Sequence, residues 1–182
     1  RRVYTCRRSF PQQLTTARVR ALSEVMEIND YLIDQSGKDW AAFLRDWMPP
    51  LPPSFTLWLV NRFGDAFVVS DEDGSVHMLD VGIGKAARVA DNRSHFADLL
   101  DADDNANNWL MIPLVDECRK AGMNLGPSQC YGFKIPPVLG GKYEPANVEP
   151  TELAVHYAFL ADIYKQTKDL PDGTPINAVV VE

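Results

Sequence analysis

The sequence predicts an α+β fold in which a small antiparallel β-meander is packed by several helices, as a single domain over residues 26–182. Two short β-rich runs, AFVVS and SVHMLDV, stand one turn apart, and segments with helical spacing of apolar residues lie on both sides of them. The 182 residues are 46% hydrophobic, which is enough for one ordinary core without a disulfide framework or a repeat array.

The first 25 residues differ in charge from the rest of the chain. They hold six arginines and one acid, Glu24, and we expect them to form a poorly ordered N-terminal extension. Removing these from the totals of 18 basic and 25 acidic side chains leaves 12 basic and 24 acidic ones over residues 26–182, a formal charge of −12. Such a body repels a phosphate backbone and attracts a basic surface, so we expect a protein partner and no direct contact with nucleic acid.

The cysteines and the apolar runs indicate the compartment. Three dispersed cysteines, with no metal-binding or redox spacing, fit a reducing environment. The longest apolar runs, near residues 55–60 and 109–115, are far shorter than the roughly 20 residues that a membrane-spanning helix needs. We therefore expect a cytoplasmic protein that does not enter a membrane.

Two helices are expected before the strands. Ser36 is placed to cap a helix from about residue 38 that ends at a group of prolines. Its apolar face would hold Trp40, Phe43, Leu44 and Trp47. A second, short helix is expected from Ser54 to the break at Gly64, with Phe55, Trp58 and Leu59 on one side.

The meander and a second group of helices are expected after residue 65. DEDG between the two β-rich runs is typical of a hairpin, because Gly74 tolerates a positive φ and aspartates stabilise turns. A third strand is expected near 86–90, and helices near 92–101 and 105–121, the second of which Pro113 can kink. Loops and short strands follow over 125–147, then a long helix from Pro150 and a closing strand, INAVVVE.

The motifs predict no catalytic residue, no metal site and no cofactor. Each of the three histidines stands on its own element without ligand spacing and is interpreted as structural or exposed; they are His77, His95 and His156. The run DADDNANN lacks the central glycine and the closing glutamate of a calcium loop. VGIG and LGG fit turns and not phosphate-binding loops, and Ser128 and Cys130 stand in no nucleophile motif.

Several segments taken together resemble a known family. They are RFGDAFVVSDEDGSVHMLDV, with its Phe63-Gly64-Asp65 and Leu79-Asp80 groups, then NANNWL, CYGFKIPPVLGG and the helix leading to KDLPDG. Over roughly residues 54–170 this ordered set resembles the C-terminal domain of type VI secretion DNase immunity proteins, which is similar to the SUKH superfamily of immunity proteins. The resemblance implies a non-enzymatic α+β domain that binds and blocks a cognate toxin in the cytoplasm, often by covering its basic nucleic-acid-binding face.

Two acidic loops are the predicted contacts with such a toxin, because recognition residues concentrate on exposed loops held by a rigid scaffold. They are Asp71, Glu72 and Asp73 at the hairpin tip, and Asp101, Asp103 and Asp104 before the following helix. A second hypothesis is a regulatory or scaffolding module similar to the same superfamily, without a toxin partner. A third is a small-molecule enzyme whose pocket would be formed by Tyr131, Lys134, Tyr143 and His156.

Overall fold

A computed structural model describes residues 19–20, 25–102, 104–171, 173–174 and 176 of the chain. Within the expected N-terminal extension, strand β1 (Val19–Arg20) pairs antiparallel with β2 (Val25–Met26). The other residues before 25 and, apart from Ile176, the predicted closing strand lie outside the described residues. No helix in the described part of the chain has the length and apolar character needed to cross a membrane.

The first helix is shorter than predicted and has a different cap. A 3-10 turn (Ile28–Tyr31) precedes helix α1 (Trp40–Leu44). The carboxylate of Asp39, and not the predicted Ser36, accepts the N–H of Ala42 at 3.0 Å. An N-cap directly precedes the first helical residue, so a helix that starts at position 40 is capped from position 39.

Four antiparallel strands, in the order of the sequence, form the central sheet. They are β3 (Phe55–Val60), β4 (Ala66–Ser70), β5 (Val76–Asp80) and β6 (Lys85–Ala90). The hairpin between β4 and β5 turns through Gly74, which has a φ of +74°. The predicted meander is therefore confirmed, and one further strand is added at its edge.

The short helix predicted from Ser54 is wrong, because this segment forms β3. Five of the six residues of β3 are buried, so apolar side chains occupy both faces and the strand lacks the alternation of a half-buried one. A short apolar run of this kind cannot be distinguished from a buried helix by its spacing alone. The β-branched Thr56 and Val60 are the residues of the run that favour a strand.

Helices cover both faces of this sheet. They are α1 and, after the sheet, α2 (Arg93–Leu100), α3 (Asn105–Trp109), α4 (Ile112–Lys120) and α5 (Leu153–Thr167). Helix α2 begins where the sequence predicts, because the side chain of Asn92 accepts the N–H of His95 at 2.9 Å.

The single helix predicted over 105–121 is divided into α3 and α4. The backbone turns at Met111, whose φ of +51° lies in the left-handed region. Pro113 stands in the first turn of α4, where its missing N–H costs no hydrogen bond. The proline therefore begins a new helix and does not kink a continuous one.

A second, two-stranded antiparallel sheet joins β7 (Gln129–Phe133) to β8 (Val148–Glu152). Pro150, predicted to begin the long helix, lies within β8 opposite Tyr131, and α5 begins three residues later at Leu153. A proline is tolerated there because β8 has β7 as its only sheet neighbour among the described strands, and its other side needs no N–H donor.

Side chains from the two faces of the central sheet enter two cores. One core joins Phe67 of β4 to Phe96 of α2 and Val115 of α4. The other joins Val68, the next residue of β4, to Trp47 and to Tyr157 of α5. Because neighbouring residues of a strand point to opposite faces, both faces of the sheet are covered. The predicted α+β class, one compact domain with an antiparallel meander and several helices, is confirmed.

Candidate functional site

The hairpin tip between β4 and β5 carries three of the predicted contact residues. The carboxylate of Asp71 accepts hydrogen bonds from the hydroxyls of Ser54 and Thr56 at 2.6 and 3.1 Å. These bonds tie the tip to the start of β3. Glu72 is exposed, and its carboxylate forms no ion pair within the part of the chain that the structure describes.

Asp73 is held still more firmly by its neighbours. It accepts hydrogen bonds from the N–H and the hydroxyl of Ser75, at 3.0 and 2.6 Å, and forms an ion pair with Arg88 at 3.1 Å. The bonds from Ser75, with a smaller effect of Arg88, lower the pKa of Asp73 to about 2. This carboxylate is thus exposed but already satisfied by its own hairpin.

The second predicted acidic loop lies away from the hairpin tip. Asp101 follows the last residue of α2 and Asp104 precedes the first residue of α3; both are exposed, and Asp103 lies outside the described residues. Helix α2 begins next to the tip, because Asp91 binds the same Arg88 that pairs with Asp73. The eight residues of α2, a helix about 12 Å long, lie between this point and Asp101. The structure therefore separates the two loops.

A buried polar network forms where β3 turns into β4. Asn61 is fully buried; its side-chain oxygen accepts the N–H groups of Phe63 and Asp65 at 2.9 and 3.0 Å. Its side-chain nitrogen donates to the carboxylate of Asp65 at 2.8 Å and to the carbonyl of Trp109 at 2.9 Å. One amide thus fixes the turn, the carboxylate and the end of α3 relative to each other.

Two carboxylates meet at this end of the sheet. Asp65 is 4% exposed and accepts the N–H of Val81 at 3.0 Å, while Asp80, the last residue of β5, accepts the N–H of Ile83 at 3.0 Å. Burial, and then the charge of Asp80, raise the pKa of Asp65 to about 8. Burial also raises the pKa of Asp80. Neither carboxyl group forms an ion pair with a basic side chain of the described residues.

These two acids line a surface cavity of about 410 Å³, which we call the acidic cleft. Its walls come from β5, from α3 and α4 with their junction, and from the loop before β8. The lining residues are Asp65, Met78, Asp80, Asn107, Asn108, Met111, Pro113, Leu114, Glu117 and Tyr143. Three carboxylates thus face one cavity whose lining contains no lysine, arginine or histidine.

The acidic cleft has the chemistry to receive a basic group. Carboxylate oxygens and side-chain amides accept hydrogen bonds from a guanidinium or ammonium group, and the half-exposed ring of Tyr143 and two methionines give such a group an apolar wall. Burial, together with Asp80 and Asp65, raises the pKa of Tyr143 to about 12, so its hydroxyl stays protonated at neutral pH. A partly desolvated cleft also strengthens each charge–charge contact made in it.

His156 touches the same region but has a structural role. It is buried in α5, and its Nε2 donates to the carbonyl of Phe63 at 2.9 Å, as the acceptor requires. Burial lowers the pKa of His156 to about 4, so the ring is neutral. The cavity that His156 shares with Asp65 and Asp80 measures about 10 Å³, room for one water at most. This histidine holds α5 against the β3–β4 turn.

The pocket of the enzyme hypothesis is assembled only in part: Tyr143 and His156 line the same small cavity of about 10 Å³, whereas Tyr131 and Lys134 do not. The hydroxyl of Tyr131 donates to the carbonyl of Met123, and Lys134 donates to the carbonyl of Ala146 at the exposed surface, so neither faces His156. Cys130 is buried, and burial raises the pKa of its thiol far above its ordinary value. Within the described ranges no group of histidine, cysteine and acidic side chains could hold a metal ion.

The fold and the site together define an α+β domain with an acidic cleft and with no catalytic arrangement among its described residues. Residues 90–164 match the model of a protein family described as T6SS immunity protein Tdi1, C-terminal. The match covers less than half of the chain, from the end of β6 into α5, and includes the NANNWL and CYGFKIPPVLGG segments. It confirms the resemblance to the C-terminal domain of type VI secretion immunity proteins. A comparison with curated proteins finds no match.

In the sequence, Asp65 and Asp80 belong to the segments that resemble the immunity family, and no contact role is predicted for them. Each stands at the end of an apolar strand and not in a polar loop, since Asp65 precedes AFVV and Asp80 follows VHML. An acid at the end of a core strand indicates a candidate site, because burial removes water from its carboxylate and the group then favours a hydrogen-bond or charged partner.

Proposed function

We propose that this chain is a non-enzymatic immunity protein that binds a type VI secretion effector, of DNase type, in the cytoplasm and blocks it. The observation that carries this proposal is the family match over residues 90–164. The matched region contains α3 and α4, which form one wall of the acidic cleft. The region related to immunity proteins and the candidate site therefore overlap.

The charge of the chain supports a basic partner. The formal net charge is −7, and the cleft adds a local concentration of carboxylates without cations. An enzyme that holds a phosphate backbone presents a basic surface, and complementary charge speeds the encounter and selects the partner. A basic side chain of the effector that entered the cleft would donate hydrogen bonds to carboxyl groups that have no ion-pair partner among the described residues.

The acidic cleft, extended by Asp101 and Asp104, is the face that we propose for this contact. Asp104 precedes α3, whose Asn107 and Asn108 line the cleft, so this loop lies on the same side of the molecule. The hairpin tip lies at the far end of β4 and β5 from Asp65 and Asp80. We assign the acids of the tip, Asp71, Glu72 and Asp73, a secondary part in binding because two of them are already satisfied within the hairpin.

Co-expression with candidate toxins tests the function. Each effector domain of the type VI secretion clusters in the source strain is expressed in a bacterial host with and without this chain, and growth is measured. We expect protection against one effector and a complex of the two purified proteins. Absence of protection and of binding across the whole set contradicts the immunity function and favours the regulatory module.

Variants of exposed acids test the face. Glu117→Lys, in the cleft, should weaken both protection and binding, whereas Glu149→Lys, an equally exposed acid on β8 that lines no described cavity, should leave them unchanged. Equal effects of the two substitutions would indicate that only net charge matters and would reject the cleft as the contact face.

A further inference from the structure

Arg62 occupies an unusual position in the turn between β3 and β4. Its N–H donates to the carbonyl of Tyr31 at 3.0 Å, and its own carbonyl accepts the N–H of Tyr131 at 2.8 Å. The backbone of this arginine is therefore fixed between the N-terminal 3-10 turn and β7. Its side chain is half-buried and extends along the surface between two adjoining cavities.

The guanidinium of Arg62 is only partly satisfied. Its Nε donates to the carbonyl of Asp30 at 3.0 Å, which fixes the plane of the group. Its two terminal nitrogens have no hydrogen-bond or ion-pair partner in the described part of the chain. Burial, together with the nearby charge of Arg119, lowers the pKa of Arg62. A half-buried cation beside a second cation, without a carboxylate in contact, favours an added anion.

The two cavities differ in lining and share Arg62 and Leu125. The larger, of about 480 Å³, has apolar walls from Leu32, Ile33, Leu125 and Pro127. The smaller, of about 180 Å³, contains Arg119 beside Val115 and Met123. The volume of the larger cavity is typical of sites for small molecules. In such sites apolar walls bind the body of a ligand and a few polar groups fix its head.

Each cavity also has one carboxylate in its lining, Asp34 in the larger and Asp30 in the smaller, and each accepts a backbone hydrogen bond. Asp30 accepts the N–H of Glu27 at 2.9 Å, and Asp34 accepts the N–H of Ser36 at 3.0 Å. Neither of them forms an ion pair with Arg62 or Arg119 within the described residues. The terminal nitrogens of Arg62 therefore remain donors without a carboxylate partner among the described residues.

We propose that these two cavities form one binding site for a small amphipathic anion. A carboxylate or phosphate head group binds the terminal nitrogens of Arg62 and the guanidinium of Arg119, and the apolar body of the ligand lies in the larger cavity. Guanidinium groups suit both head groups, because their donors match the spacing of two oxygens. This site is independent of the proposed contact with an effector.

Helix α4 separates this site from the acidic cleft. Pro113 and Glu117, four residues apart, face the acidic cleft, whereas Val115 and Arg119 line the smaller basic cavity. An offset of two residues corresponds to about 200° around a helix, so the two pairs lie on nearly opposite faces. An anion bound at Arg62 therefore leaves the acidic cleft accessible.

NMR titration of the whole chain tests the proposal. Sodium hexanoate, inorganic phosphate and sodium chloride are each added at constant ionic strength and pH 7, and backbone amide signals are followed. We expect saturable shifts at Gly126 and Gln129 with hexanoate, phosphate or both, and none with chloride. A response to only one of the two anions identifies the head group that the site prefers.

Arginine variants give the control. Arg119→Gln, an exposed position that tolerates substitution, should raise the Kd about tenfold, as expected for the loss of one charge-assisted hydrogen bond, and so should Arg62→Lys. Arg45→Gln, an exposed arginine that lines neither cavity, should leave the Kd unchanged. The proposal is overturned if no anion gives saturable shifts up to about 50 mM, or if Arg119→Gln and Arg45→Gln bind alike.

Discussion

The aspartates of the hairpin tip and those of the acidic cleft have pKa values that the protein shifts in opposite directions. At the tip, hydrogen bonds from Ser75 and the charge of Arg88 lower the pKa of Asp73 to about 2. In the cleft, burial and the neighbouring Asp80 raise the pKa of Asp65 to about 8. Exposure alone would select the tip as the binding site. The carboxyl groups that have no basic partner among the described residues point to the cleft.

This difference follows from where each acid stands in the chain. A turn supplies hydroxyl and N–H donors within a few residues, so its aspartates are satisfied locally. An acid at the end of a buried strand has only the donors that the fold brings to it, here Asn61 and Val81 for Asp65. Such an acid retains the capacity to bind a cation that a partner delivers.

Asn61→Ala is expected to have the largest effect, because it removes the amide that supports the cleft. The substitution leaves the carbonyl of Trp109 and the N–H groups of Phe63 and Asp65 without partners inside the protein. Urea denaturation should show a loss of about 3–5 kcal/mol in the free energy of unfolding.

The matched substitution Asn107→Ala, at an exposed position in the same cleft, should change the free energy of unfolding by less than about 0.5 kcal/mol. Similar values for Asn61→Ala and Asn107→Ala would show that the buried amide does not organise this end of the sheet.

His156→Gln should remove a loss of stability in mild acid. Because burial lowers the pKa of His156 to about 4, the unfolded chain binds the proton more readily than the folded one between pH 6.5 and 4. The stability that the neutral ring provides is present above about pH 6.5 and is lost as pH falls. At pH 5 the wild type should lose about 2 kcal/mol more than His156→Gln, relative to pH 7.

Chemical denaturation at pH 5 and pH 7 measures this difference. His95→Gln is the control, because it keeps the buried histidine and should therefore keep the acid-dependent loss. The structural role assigned to His156 fails if the wild type and His156→Gln lose the same free energy of unfolding.

Asp80→Asn should reduce the pH dependence of stability that the acids of the cleft cause. Because the pKa of Asp65 is raised to about 8, the folded chain keeps a proton on this residue that the unfolded chain has already lost at pH 6.5. The free energy of unfolding therefore decreases as pH rises towards about 8. A neutral side chain at position 80 lowers the pKa of Asp65. The fall in stability between pH 6.5 and pH 8 should then shrink by on the order of 1 kcal/mol.

Asp73→Asn provides the matching test at the hairpin tip. With a pKa of about 2, Asp73 is ionised throughout this pH range, so its neutral replacement should keep the wild-type slope. Equal slopes for Asp80→Asn and the wild type would contradict the coupling of the two carboxylates in the cleft.

The fold class and the central hairpin could be predicted because their signals are local. Gly74 with its neighbouring aspartates specifies a turn, and the helix expected near 92–101 is found with Asn92 as its cap. The strand β3 could not be distinguished from a helix, because a run buried on both faces has no period. The division at Met111 depends on packing against the sheet, which the spacing of apolar residues does not show.

The candidate site was only partly accessible from the sequence. The acids in polar loops were visible, and their local satisfaction by Ser54, Ser75 and Arg88 could be known only from the structure. The cleft joins β5, α4 and Tyr143, which are far apart in the chain. No spacing rule relates such residues, so only the fold brings their charges together.

We propose that the acidic cleft, and not the hairpin tip, is the main contact with the effector. Isothermal titration calorimetry with the effector identified by co-expression compares two exposed charge reversals, Glu117→Lys in the cleft and Glu72→Lys at the tip. We predict that Glu117→Lys raises the Kd at least about tenfold and Glu72→Lys less than about threefold. A larger effect of Glu72→Lys would reject the cleft as the main contact and place it at the hairpin tip.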